Sequence, residues 1–98
     1  MQTPSFFTVI PANVRYDKRL KAGEKVLYSE ITAMTDSKGR CSVTNDYFAH
    51  AYSISSSTVS RWVYDLAMLG YVKIIRNSRQ QRIIKPTTTT AKERTSFL

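Results

Sequence analysis

The stretch from Ser56 to Leu69 constrains the fold more than any other, because Val59, Val63 and Leu66 recur at three- and four-residue steps with Trp62 and Leu69 beside them. That spacing is one apolar face of a helix. Ser55 stands where its hydroxyl can cap the first turn, and Gly70 stands where a helix end favours a residue free to turn left-handed. Beyond Gly70 the period changes. The β-branched runs "YVKIIRN" and "QRIIK", joined by a polar "SRQ", predict a two-stranded hairpin that Pro86 ends. A helix feeding directly into a hairpin needs further elements to cover its apolar stripe.

Those elements lie upstream. Thr44 can cap a short helix over Asn45 to Tyr52, with Asp46 near its positive end and Phe48, Ala49 and Tyr52 facing inward. The residues Ser53 to Ser55 around Ile54 break the pattern before the longer helix. Earlier still, Val26, Leu27, Ile31 and Met34, with Tyr28 alongside, predict a helix from about Lys21 to near Thr35. The string "DSKGR" then supplies a turn through Asp36, Ser37 and Gly39, and Cys41 to Val43 has room only for a short strand. Phe6 to Ile10 reads as a β-prone run ended by Pro11, followed by an Arg- and Lys-rich connector. The expected organisation is one domain over residues 1–86, with 87–98, which opens on four threonines, as a flexible tail or linker.

The order helix, short strand, short helix, turn, longer helix, hairpin is the layout of a winged helix-turn-helix, an α+β fold with three helices. The segment "ISSSTVSRWVYDLAMLGYV" is its most specific part. Ile54, Ser55, Thr58, Val59, Ser60 and Arg61 fill one pattern, and Leu66, Leu69, Gly70, Tyr71 and Val72 fill the second. On these residues the chain resembles the winged-helix domains that begin bacterial plasmid and phage replication initiators, including DnaD-like proteins, and the DNA-binding domains of many small repressors. Ser53 departs from that pattern, which often has Gly at the turn. The resemblance implies double-stranded DNA as the partner, in replication initiation or transcription regulation in a bacterial, plasmid or phage setting.

Charge points the same way. The 98 residues hold 15 Lys and Arg against 7 Asp and Glu, a formal net charge of +8, which suits a polyanionic partner. From Tyr71 to Lys85 the basic residues Lys73, Arg76, Arg79, Arg82 and Lys85 meet no acid. On the longer helix, Ser56, Ser57, Ser60 and Arg61 lie off the apolar stripe, and Tyr64 extends that face. A helix of this diameter fits the major groove, and an Arg fork can donate two bonds to guanine. Arg61 is the expected reader; a phosphate contact or an ion pair with Asp65 are its alternatives. Thr58 can bond a phosphate or its own backbone. In the hairpin, Lys73, Arg76, Arg79, Gln80 and Arg82 are the expected backbone-contacting residues.

Other classes find little support. The lone Cys41 reads as a small half-buried residue, and with only His50 beside it there is no zinc ligand set. No nucleophile–base pair, carboxylate cluster or phosphate-binding glycine loop is present, so neither an enzyme nor a cofactor is expected. No apolar run reaches the roughly 20 residues of a membrane span, and the first residues carry no signal-peptide pattern, which predicts a cytoplasmic protein. A homodimer is the expected assembly for a two-fold DNA site. The competing reading is a winged helix that docks on a replication or regulatory protein.

Overall fold

The computed structural model describes residues 8–87. Four helices run in the order α1 (Ala12–Arg15), α2 (Ala22–Ala33), α3 (Asn45–Tyr52) and α4 (Ser56–Met68), followed by the antiparallel strands β1 (Val72–Arg76) and β2 (Arg82–Pro86). This is the small α+β architecture of a winged helix-turn-helix, with one more helix than the sequence reading placed. The added turn, α1, lies in the segment read as a connector. Pro11 at its N-cap needs no donor there, and Val14 and Leu20 anchor the segment in the core.

The expected strand over Phe6 to Ile10 does not form where the structure describes it. Phe6 and Phe7 lie outside the described residues, and Thr8–Ile10 pair with no strand. Thr8 is instead held to α2 by the buried Ser29, whose hydroxyl lies 3.0 Å from that of Thr8. Cys41 alone bridges to Ile84, so the expected Cys41–Val43 strand is one residue long. The thiol is fully buried rather than half-buried, and burial pushes its pKa up. The tail expectation falls outside the described residues except at Thr87. Its N–H donates to the Tyr71 carbonyl at 2.9 Å and its hydroxyl to the Gly70 carbonyl at 2.6 Å, so the folded unit continues through it.

The core is where the stripes meet: Leu27, Tyr28 and Ile31 of α2, Phe48 and Ala49 of α3, Val59, Val63 and Leu66 of α4, and Val72 and Ile84 of the hairpin. Val26 was expected on the buried stripe of α2 but is 42% exposed. Glu24 is buried in its place, because its carboxylate folds back to accept the Lys21 backbone N–H at 2.7 Å at the helix start. Trp62 packs beside the core and lies against Gly23. A Cβ on Gly23 would sit 2.4 Å from the indole edge, so only glycine lets α2 and α4 approach this closely. Tyr52 ties α3 to α2 by donating its hydroxyl proton to Glu30 at 2.6 Å.

Candidate nucleic-acid interface

Two caps and a left-handed residue set the angle between α3 and α4. The Thr44 hydroxyl accepts the Tyr47 N–H at 3.2 Å, and the Ser55 hydroxyl accepts the Thr58 N–H at 3.1 Å. Between them Ser53 takes φ 56° and ψ 46°, the conformation in which glycine is commoner. Serine occupies it at a steric cost of about 1–2 kcal/mol, so the turn keeps its geometry without glycine. The consequence is that α4 leaves the core with one face in solvent.

That face carries the expected readers. Ser56, Ser57, Ser60, Arg61 and Tyr64 are all exposed, at positions that step by one and three residues along α4, and Met68, 66% exposed, continues the line. Arg61 makes no hydrogen bond or ion pair with the described residues, so its alternative as an Asp65 partner is not formed. Two residues of the set are engaged. Thr58 is half-buried, with its hydroxyl 2.9 Å from that of Ser55, as part of the cap. Ser56 donates to Asp46 of α3 at 2.5 Å, bridging the two helices.

The hairpin divides its cations into two kinds. Its turn is a three-residue loop, Ser78 to Gln80. The Asn77 side chain accepts the N–H groups of Arg79 at 2.9 Å and Gln81 at 3.0 Å, and Gln80 takes φ 62°. The Asp36–Arg40 turn has the same bonding with Gly39 at φ 77°, so Gln80 stands where that turn uses glycine. Arg76 donates to the Gln80 carbonyl at 3.0 Å and steadies the loop. Arg82 is half-buried: it donates to the Val43 carbonyl at 2.8 Å and to the side chain of Asn45, and burial lowers its pKa. It works as a brace between β2 and the start of α3. The side chains of Lys73 and Arg79, by contrast, are exposed and bond to no described residue.

Lys85 is the basic residue that the site reading left out, and the strand register shows its place. Lys73 stands directly opposite Lys85, and Arg76 opposite Arg82. Aligning the two β-branched runs about the loop would have found both pairs. Like charges directly opposed across a ladder destabilise it, by up to about 1 kcal/mol each. A groove of about 500 Å³ between the wing and α3 is lined by Asn45, Asp46, Arg76, Gln81 and Arg82 among others. Among the described residues no cluster of three or more metal-ligating side chains occurs, and no helix is long and apolar enough to cross a membrane.

The family model described as a helix-turn-helix domain matches residues 18–72. That span runs from the approach to α2 through the first residue of β1 and takes in the whole exposed face of α4. No curated protein matches the chain.

Proposed function

Since the chain belongs to the helix-turn-helix domain family, we propose that it is a sequence-specific binder of double-stranded DNA. The exposed face of α4 enters the major groove, and the hairpin lies on the neighbouring backbone. The observation that carries this reading is the exposed cation set of one acid-free hairpin, in which Lys73 stands directly opposite Lys85 on one face and Arg79 is exposed in the loop. Such a hairpin is under electrostatic stress alone, and a row of phosphates relieves it. Arg61 donates its fork to a guanine edge, with Ser57, Ser60 and Tyr64 on flanking bases and the sugar wall. Lys73, Arg79 and Lys85 contact phosphates, Gln80 is at the hairpin tip beside them, and Arg76 and Arg82 hold the hairpin in position. Ser56 and Thr58 fix the first turn of α4 through the Asp46 bridge and the Ser55 cap, so that the readers after them are presented at a set angle. The cellular role is replication initiation or transcription regulation of a bacterial, plasmid or phage genome, a reading supported by sequence resemblance alone.

The test separates backbone from base contacts. Replacing Lys73, Arg79 and Lys85 with Gln leaves the described hydrogen bonds of the hairpin in place and should flatten the plot of log affinity against log salt by up to about 2.7 units. Arg61→Ala should instead weaken a sequence selected from a random duplex pool more than random duplex, by about 1–3 kcal/mol. An unchanged salt slope in the folded triple variant would refute the wing contact. Equal or tighter binding to single strands of the same length would refute the groove-reading geometry.

A further inference from the structure

The hairpin ladder is closed on one side and open on the other. Thr87 N–H donates to the Tyr71 carbonyl at 2.9 Å and Asn77 N–H to the Gln81 carbonyl at 3.1 Å. In an antiparallel ladder bonded pairs alternate, so Lys73 and Ile75 direct their backbone groups to β2, while Val72, Ile74 and Arg76 direct theirs outward. On the far side of β2 the outward groups are used: Ile84 exchanges both bonds with Cys41, at 2.8 and 2.9 Å. On the side of β1 no described strand takes them. The two isoleucines of this edge are 40% and 38% exposed, Ile74 and Ile75 respectively.

We infer that β1 is the surface on which a second copy of the chain pairs, antiparallel and about a two-fold axis through Ile74. The inference rests on the DNA-binding reading, because that reading supplies the counter-charge that lets two strongly basic chains meet. The strand itself selects the occupant and the register. Centring the axis on Lys73 or on Arg76 would oppose each cation to its own copy. Centring it on Ile74 opposes Ile74 to Ile74, Lys73 to Ile75 and Val72 to Arg76, so all five residues pair and no like charges face each other. The outward groups of Val72, Ile74 and Arg76 then find partners in the other copy, and the lysine stem covers the exposed Ile75. A five-residue strand is too short to bury the roughly 1,200 Å² or more of a stable interface. The pairing therefore forms on the duplex and not in free solution.

The experiment loads the full chain onto a duplex of about 30 base pairs, room for two half-sites one helical turn apart. Cooperativity and stoichiometry are read by sedimentation and titration. The wild type should load two copies with a Hill coefficient approaching two. Ile74→Lys and Ile74→Glu, each shown folded by circular dichroism, should each load without cooperativity, since each opposes a like charge across the axis. An equimolar mixture of the two should recover cooperative loading. If either variant fails to fold, Ile74→Cys replaces them. With a thiol oxidant it should form a covalent dimer on the duplex and not off it, while Ser78→Cys at the hairpin tip should not; Cys41 is fully buried and does not compete. Independent loading by the wild type, a mixture no more cooperative than its parts, or equal cross-linking at both positions would overturn the pairing. A wild type that binds no duplex would refute the DNA-binding reading, and the pairing with it.

Discussion

Gly23→Ala tests the packing that aims α4, and its sign separates two opposed effects. In an exposed helix interior the change would stabilise by about 0.8–1 kcal/mol, because alanine loses less backbone entropy than glycine on folding. Gly23 lies in the first turn of α2, however, and a Cβ there would fall 2.4, 2.8 and 2.9 Å from three atoms of the Trp62 ring. Ordinary carbon contacts begin near 3.5 Å, so the rigid indole or the helix must shift by about 1 Å. Overpacking of this kind costs about 1–3 kcal/mol, which outweighs the propensity gain and leaves a net loss of about 1 kcal/mol. For a domain of this size that lowers Tm by about 4–8 °C, measured by thermal denaturation followed by circular dichroism. The control is the same substitution in a Trp62→Leu background, where the obstruction is gone and alanine should stabilise. A Tm that rises on Gly23→Ala in the wild-type background, or falls equally in both, would refute the argument that glycine is there for the indole.

Glu24 is buried with one carboxylate oxygen unpartnered, and burial first, then the facing Asp65, raises its pKa. A raised folded-state pKa contributes stability that is full below the unfolded value and lost as pH rises through the folded one. Urea unfolding should thus show Glu24→Gln more stable than wild type at pH 7, with the difference shrinking toward acid pH. Asp17 shows the opposite sign: its hydrogen bonds from Arg19 and then from Tyr71, the latter at 2.6 Å, hold its pKa well below the carboxylate range. Its stabilisation should be present above about pH 4 and lost on further acidification. Tyr71→Phe, which removes that bond, should cost about 1.5–3 kcal/mol at neutral pH by the same assay. Ser53→Gly, by relieving the left-handed serine, should raise stability by up to about 1 kcal/mol with no loss of duplex affinity in a binding titration.

Local chemistry was legible in the amino-acid order. The stripe of α4, the Ser55 and Thr44 caps, the turn at Gly39 and the change of period after Gly70 each depend on residues within a few positions of one another. The sequence reading accordingly placed α3, α4 and both strands close to where they form. The exposed face of α4 follows from the same arithmetic, since the residues off an apolar stripe are those left to solvent. Partnerships between distant residues were not legible. Arg82 reads as one more cation of a basic ribbon, and only the packing of β2 against α3 brings it to Asn45 and the Val43 carbonyl. Gly23 looks like a weak spot in a helix until Trp62, 39 positions later, is laid over it. Val26, expected on the buried stripe, is exposed, whereas Glu24 is buried because a backbone N–H at the start of α2 needs an acceptor and the carboxylate that satisfies it is drawn inside. The opposition of Lys73 to Lys85 arises from a register set by one left-handed loop residue, Gln80. Periodicity and capping act over one or two turns of chain and leave their mark in composition at fixed spacing. Register, burial of single polar groups and helix approach are decided by atoms that meet only after the chain has closed on itself.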